Sequence, residues 1–411
     1  MTTFDAMTPA ALAVLATERA ESLFQHDYDA RQTALSDRLR GARVLVIGGA
    51  GSIGGSVTRL LAGFDTAALH VLDSNENGLV ELTRDLRASP VAPRAAALRF
   101  LPLDFTSSVA RRLIDREAPY DAVLNFAAVK HVRSEKDELS LLRMFDINVL
   151  GQRRLLEALA ARRPDTSYFS VSTDKAANPV NLMGASKRLM EHVMFSGAHG
   201  LRGAITSARF ANVAFSDGSL LHGWLQRLVK RQPVAAPRDT RRYFVSLEEA
   251  GHLCMLAAFC QPHESILVPR LTPDVDLHLL DAIAARFIRR AGYEPAVYED
   301  EAAARAAVAS DAAAGRYPLL LTPLDTSGEK AFEEFAGDGE EAREAGFDAL
   351  LTVAYRPLER PAALTALVDE VARLLDDPAR ATTKARLIEL VEAVLPEFAH
   401  IASARQLDDR V

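Results

Sequence analysis

Val44-Leu45-Val46-Ile47-Gly48-Gly49-Ala50-Gly51-Ser52-Ile53-Gly54 runs from four apolar residues into glycines at a three-residue spacing, and helical spacing follows at once in SVTRLLAGF. A short apolar run opening into glycines and then a helix is how a buried strand feeds a helix. Glycines at 48, 51 and 54 permit the tight turn and close backbone approach that bring a pyrophosphate to a helix N-terminus. The next apolar strand, LHVLD at 69–73, closes on Asp73, 19 residues after Gly54, where a carboxylate can hold a ribose hydroxyl. Together these predict a dinucleotide site; a glycine-rich turn that binds nothing is the alternative. Asp73 repels a ribose phosphate and is followed by Ser74 and Asn75 rather than an arginine. NAD is therefore expected, with NADP left open.

Outward from this stretch, strands and helices alternate. AALRFLPLD near 96–104, DAVLNFAA at 121–128, SYFSVST at 167–173 and AITSARFANV at 204–213 read as strands; helices are expected around 141–162 and 183–196. This pattern predicts an α/β fold, a doubly wound parallel sheet of Rossmann type covered on both faces. Asp104-Phe105, ending the third strand, is placed beside an adenine, unless Asp104 only caps the next helix. Beyond residue 215 the alternation breaks down, although ESILVPRL at 264–271 reads as a strand returning to the sheet, and the Ala-rich stretch 300–316 as a solvent-facing helix. Residues 8–40 carry apolar positions at helical spacing among charges, predicting one or two amphipathic helices that form a packing arm. The expected organisation is an arm over 1–40, a dinucleotide-binding domain over 41–215, and a smaller substrate-binding lobe over 216–411, from which about 243–271 returns to the first domain.

The 411 residues exceed the roughly 250–300 at which one core usually stops growing. Hydrophobic residues at 49% and charged ones at 25% exclude a largely disordered chain. A formal charge of −7 disfavours nucleic acid or an anionic membrane as the main partner, so a phosphorylated substrate needs local cations. Cys254 and Cys260 form neither a disulfide framework nor a metal-ligand pattern, and no metal is expected. No uncharged apolar run reaches the length of a membrane span and no secretory leader is read, so a cytoplasmic location is expected.

A second constellation ends the strand at 167–173: Ser172-Thr173-Asp174-Lys175, then Asn178-Pro179, then Met183-Gly184-Ala185-Ser186-Lys187. Ligands of doubly wound sheets sit outside the carboxyl ends of the strands, which puts these side chains beside the cofactor. A surface ion pair of Asp174 with Lys175 is the plainer alternative. The strings GAGSIG, AAVKHV, INVLG, STDKAANPVNLMGASK, RFANV, RRYFVS and SGEKAFEEF, in this order over about 41–337, resemble the polysaccharide-biosynthesis branch of extended short-chain dehydrogenases, the UDP-N-acetylglucosamine 4,6-dehydratase family.

This resemblance implies a nucleotide-sugar substrate and a closed redox cycle. Hydride leaves sugar carbon 4 for the nicotinamide, water is lost across carbons 5 and 6, and the hydride returns to carbon 6. Asp174 and Lys175 take the acid and base roles, which calls for Asp174 to shift up and Lys175 down. Thr173 hydrogen-bonds the reacting oxygen, and Lys187 binds the nicotinamide ribose. Met183 stands where short-chain dehydrogenases carry a tyrosine, and a thioether accepts no proton; this is the pattern of a methionine-bearing subset that retains configuration at carbon 5. The implied cofactor set is Gly48, Gly51, Ser52, Ile53, Gly54, Asp73, Asp104, Phe105, Ala127, Ala128 and Lys187. The implied substrate set is Lys130, His131, Asn212, Arg242 and Glu329, with Arg242 as phosphate clamp; His131 taken alone is equally a structural histidine. The group also forms homo-oligomers, to which the arm could contribute. Departures are Ile47 in place of a threonine, Thr326-Ser327 in place of Arg-Pro before Gly328-Glu329-Lys330, no membrane-spanning region, and an unmatched tail over 338–411. A 4-epimerase or net oxidoreductase on a nucleotide sugar is the alternative enzyme; a cofactor-binding scaffold without turnover is the alternative outside catalysis.

Overall fold

The computed structural model describes residues 7–131, 134–135, 137–323, 333–377, 379–380 and 382–400. The strands, in chain order, are β1 (Arg43–Ile47), β2 (Ala68–Asp73), β3 (Leu98–Pro102), β4 (Ala122–Asn125), β5 (Ser167–Val171), β6 (Ile205–Ala208), β7 (Asn212–Val213), β8 (Val234–Pro237), β9 (Arg241–Val245), β10 (Ser265–Pro269), β11 (Leu277–Leu279), β12 (Glu294–Tyr298), β13 (Arg316–Thr322), β14 (Ala342–Glu344) and β15 (Leu350–Ala354). Nine of them form one sheet in the order β14-β15-β10-β6-β5-β4-β1-β2-β3. From β10 to β3 every pairing is parallel, for example Val46 opposite Val71 on one side and Leu124 on the other.

The apolar run of β1 explains why the sheet is covered twice. Alternate side chains point to opposite faces. Leu45 and Ile47 enter one core with Val123, Tyr168 and Ile266, while Val44 and Val46 enter another with Val71, Leu124 and Leu267. Helices Glu138–Phe145, Gly151–Arg162 and Leu182–Phe195 supply the first core through Leu141, Leu156 and Leu189; helices Ser52–Ala62, Glu76–Ala88 and Leu247–Cys260 supply the second through Val57, Leu82 and Leu253.

Four features depart from the sequence reading. The sheet is not wholly parallel: β15 runs antiparallel to β10, and β14 antiparallel to β15, because the chain returns from the second lobe to the free edge beyond β10. Residues 342–354, assigned from sequence to the substrate lobe, thus lie in the main sheet, and helices Pro361–Asp376 and Lys384–Val394 pack into the first core through Leu367, Val371, Leu387 and Val391. The helix expected around 141–162 is interrupted by a π turn at Asp146–Leu150. The third is the arm, whose described residues form three helices, Pro9–Thr17, Gln25–Asp29 and Gln32–Leu39; Glu18, with φ of 58°, takes the left-handed conformation that ends the first. Finally, alternation continues past residue 215. Helices Leu220–Val229, Leu280–Arg290 and Glu301–Ala313 accompany a parallel three-stranded sheet, β12-β13-β8, and β7, β9 and β11 make a further small sheet.

The arm packs within its own chain. Leu12 and Ala16 join the core of the second lobe with Trp224 and Phe287, whereas Phe24, Tyr28, Leu35 and Leu39 join the main sheet's second core. Between them Arg19 donates to Glu249 at 2.7 and 2.8 Å, to Asp276 at 3.0 Å and to the Phe244 carbonyl at 2.8 Å, joining lobe to sheet. No helix among the described residues is long and apolar enough to cross a membrane. Phe24 is wholly buried; Phe24→Ala should lower unfolding free energy by about 3–5 kcal/mol in urea titration, the range for an aromatic cavity.

Candidate functional site

The glycine loop is shaped by what its neighbours exclude. Gly48 has φ of +75°, and a Cβ there would lie 2.6 Å from the Ala127 nitrogen; one on Gly54 would lie 2.1 Å from the Gly48 carbonyl oxygen. The chain end of β1, the loop after β4 and helix Ser52–Ala62 are therefore pressed together. Gly51, by contrast, meets only the Gly48 carbonyl at 3.4 Å, so its flank is open. It is the N-cap of that helix, without a side chain to cap it. Asp73 fixes the loop from β2: its carboxylate accepts from the Ala50 nitrogen at 2.9 Å and the Asn75 nitrogen at 2.8 Å.

A cleft of about 480 Å³ opens at these strand ends, lined by Gly48, Gly51, Ser52, Ile53, Gly54, Asp73, Asp104, Phe105, Ala127, Ala128, Lys130, Thr173, Lys175, Met183 and Lys187. Apart from Asp174, the residues expected for cofactor and for chemistry thus meet in one place, brought there by the shared direction of β1 to β5. Asp104 accepts from the Thr106 nitrogen at 2.9 Å and hydroxyl at 2.8 Å, and from Arg143 at 2.6 Å. Burial favours its neutral form, but these donors outweigh it and hold the carboxyl below its ordinary value. Arg143 also lines the cleft and has no role in the sequence reading; its pairing with Asp104, 39 positions earlier, follows only from the fold.

Thr173 leads from β5 into a 3-10 turn, Asp174–Ala176. Its hydroxyl donates to Asp174 at 2.7 Å, and the Lys175 ammonium stands 3.2 Å from the same carboxylate. Asp174 is buried behind the wall of the cleft, while Lys175 is part-exposed on it. Gly184 makes the next contact, since a Cβ there would sit 2.5 Å from the Lys175 carbonyl oxygen; the helix Leu182–Phe195 starts directly against this turn. One turn into it, Lys187 is buried and donates to the Val171 carbonyl at 2.7 Å. Burial lowers its amine to about 8, opposed by Glu191. The π turn brings in Asn148, whose amide accepts from the Val129 nitrogen at 3.0 Å and donates to the Val129 carbonyl and the Ser186 hydroxyl, each at 2.9 Å. It ties the loop after β4 to the Lys187 helix.

Of the expected substrate residues, Lys130 lines the cleft. Lys130 donates to the Asp217 carbonyl at 3.0 Å, and burial lowers its amine despite Asp217. His131 lies exposed beside Gly218, where a Cβ would approach its ring to 2.8 Å. Asn212 and Arg242 are not on the cleft wall but converge on Glu333, which the sequence reading did not single out. Its carboxylate accepts from the Asn212 amide at 2.5 Å and the Tyr243 nitrogen at 3.1 Å, and the Arg242 guanidinium is 3.5 Å away. Burial raises the Glu333 carboxyl, and Asp174 raises it further. Glu329, with Thr326, Ser327, Gly328 and Lys330, lies outside the described residues.

Residues 44–354 match the family model described as polysaccharide biosynthesis protein. The chain is 30% identical over 267 residues to an uncharacterized membrane protein of Methanocaldococcus jannaschii, covering 64% of this chain and 76% of that one. It is 30% identical over 230 residues to the capsular polysaccharide biosynthesis protein CapD of Staphylococcus aureus, 54% of this chain but only 37% of that longer one. A UDP-N-acetylglucosamine 4,6-dehydratase (inverting) of Campylobacter jejuni is 26% identical over 252 residues, 59% of this chain and 71% of that one. Among solved structures, Pen from Bacillus thuringiensis superposes with a TM-score of 0.61 at 20% identity over 77% of this chain and 87% of that one, a likeness of fold.

The Lys187 amine gives a pH signature. Held at about 8 in the folded chain, it binds a proton more readily when unfolded, where its value is roughly 10.4. The unfolded state therefore holds the extra proton within that window, and folding stability contributed by this group rises with pH through it. Urea unfolding of parent and Lys187→Met at several pH values should show the parent gaining on the variant as pH climbs through the window.

Proposed function

Because the chain belongs to the polysaccharide biosynthesis protein family of extended short-chain dehydrogenases, we propose that it is a nucleotide-sugar 4,6-dehydratase that uses tightly held NAD and acts on a UDP-N-acetylglucosamine-like substrate. The observation that carries this reading is the meeting of Thr173, Lys175 and Lys187 at a glycine-lined cleft in which Met183 occupies the wall, with Asp174 directly behind, in contact with Thr173 and Lys175.

The residues present fit a dinucleotide. Gly48 and Gly54 are packed against backbone while Gly51 is open, and the helix behind begins without a side-chain cap, leaving its N-terminal turn for a pyrophosphate. Gly48, Gly51, Ser52, Ile53 and Gly54 would hold the phosphates, Asp73 the adenosine ribose, Asp104 and Phe105 the adenine, and Ala127, Ala128 and Lys187 the nicotinamide half. The acidic end of β2, with Ser74 after it, favours NAD over its phosphorylated form. The chemistry that bound NAD supplies is storage of the hydride from sugar carbon 4 until its return at carbon 6.

The chain's own groups handle the protons. Met183 has no exchangeable proton, so this work falls to the turn after β5. Thr173 orients the carbon 4 hydroxyl, whose proton passes by way of the Thr173 hydroxyl to Asp174, the carboxylate that hydroxyl donates to, as the hydride leaves carbon 4. Lys175, on the wall of the cleft, removes the proton on carbon 5 and returns it there as the hydride re-enters at carbon 6, while Asp174, against it, passes the proton taken from the carbon 4 hydroxyl to the departing carbon 6 hydroxyl. The carbon–oxygen bond breaks as the carbon–carbon double bond forms, and water leaves. Arg242 and Asn212, steered by Glu333, face the substrate's diphosphate, with Lys130 and His131 at the sugar.

Mass spectrometry of UDP-N-acetylglucosamine incubated with the purified protein and NAD tests this directly. The expected result is loss of about 18 mass units, the water demanded by acid-base elimination, without net cofactor reduction, and abolished by Lys175→Ala. Unchanged mass with inversion at carbon 4 would instead select an epimerase, and accumulating reduced cofactor an oxidoreductase. In the same assay, Glu333→Gln should raise KM for the nucleotide sugar by about ten-fold, the scale of one charged hydrogen bond, and leave NAD affinity unchanged.

A further inference from the structure

The chain beyond residue 354 lies outside the family match, yet it reaches the rear of the cleft. Glu135, buried in the loop after β4, accepts from the Met183 backbone nitrogen at 3.0 Å. Its other carboxylate oxygen faces two groups of the tail, the Lys384 ammonium at 3.6 Å and a His400 imidazole nitrogen at 3.5 Å. Glu135 does not line the cleft; it stands behind it and touches the first turn of the helix that carries Met183 and Lys187.

The placement of Lys384 is unfavourable for its own helix. It follows the N-cap Thr383, and a cation in a first helical turn opposes the helix dipole. Glu135, in contrast, suits its position, because a carboxylate at the first turn of helix Leu182–Phe195 satisfies a free N–H and complements that dipole. Burying this carboxylate without countercharge would be costly, and among the ion pairs of the described residues that countercharge comes from the tail, from Lys384 with His400 beside it. The hairpin of helices Pro361–Asp376 and Lys384–Val394 is anchored to deliver them: Leu367, Val371, Leu387, Val391 and Phe398 share a core with Leu141, Phe145 and Leu182.

We propose that the C-terminal helical hairpin is a working part of the active site, with Lys384 and His400 holding Glu135 as a positioning residue that sets the start of the Met183–Lys187 helix against the loop carrying Lys130. The inference rests on the proposed reaction for its turnover readout, but its structural readout does not.

The test compares Glu135→Gln, Glu135→Ala and the double variant Lys384→Met/His400→Gln in the full chain. Hydrogen exchange is followed at the Met183 amide, and kcat and KM are measured on UDP-N-acetylglucosamine. The expected order of kcat is parent, then Glu135→Gln with the tail variant, then Glu135→Ala, the last reduced on the order of ten-fold or more by misplacement of reacting groups. KM for the sugar and NAD affinity should change little, and the Met183 amide should exchange faster in all three. Combining Glu135→Gln with the tail substitutions should be no worse than Glu135→Gln alone, as expected of groups acting through one contact. A tail variant with parental exchange at Met183 overturns the proposal, as does full additivity. Should the parent leave the nucleotide sugar unchanged, the proposed reaction fails, and the exchange comparison alone decides the role of the tail.

Discussion

The bidentate pair of Arg209 and Glu191 is the constraint on which the site depends. Arg209 follows β6 and is fully buried, and Glu191 lies one turn after Lys187 on the helix behind the cleft. The guanidinium donates to its two carboxylate oxygens at 2.8 and 2.6 Å, and also to Glu340, which Arg188 joins. Two cations and two anions thus neutralise each other in the interior. Such a network gains little over an apolar core, but loss of one member leaves an unpaired buried charge worth about 3–5 kcal/mol. Burial alone would raise the Glu340 carboxyl; Arg209 and Arg188 overcome this and hold it at about 2.

What the network fixes is chemical as well as structural. The Ser172 hydroxyl donates to Glu191 at 2.6 Å, immediately before Thr173 and Asp174, so the approach of β5 to the turn is set by the same carboxylate. Arg209 also donates to the Phe335 carbonyl at 3.1 Å, and Glu340 accepts from the Gly337 nitrogen at 2.8 Å. The segment over 333–340 is thereby tied beneath the sheet, and with it Glu333, the meeting point of Asn212 and Arg242. The position of this cluster follows from charges in the core of the main sheet.

Legibility in the sequence follows from how local the determining physics is. β1, β2 and β5 were readable because strands buried on both faces must be continuously apolar, and the glycines because close backbone approach tolerates nothing else. Asp73 and the Thr173-Asp174-Lys175 turn were readable because each directly ends such a strand. Glu333 was not: in Glu329-Lys330-Ala331-Phe332-Glu333-Glu334-Phe335 it looks like a solvated charge, and only the fold carries it to residues 121 and 90 positions earlier in the chain. Arg143 and Glu135 were hidden for the same reason. β14 escaped because its three residues are all exposed, leaving no apolar signature. The π turn over 146–150 escaped because one extra residue per turn scarcely disturbs helical apolar spacing.

The same geometry explains how a cleft can work without a phenol at position 183. In the proposed reaction, proton transfer needs groups held within hydrogen-bond reach of one another, whatever their identity. Thr173, Asp174 and Lys175 are consecutive, so their mutual distances are set by a single 3-10 turn rather than by a turn-to-helix separation. The helix then has only to present Lys187 and to supply an inert wall, a task a buried methionine meets. Its start is closely defined by contacts from three sides: Gly184 against the Lys175 carbonyl, Asn148 against Ser186, and Glu135 against the Met183 nitrogen. In the proposed reaction, placing proton handling on the turn rather than the helix leaves the helix a positional role, and a helix with that role is where distant parts of the chain would gain influence over the chemistry.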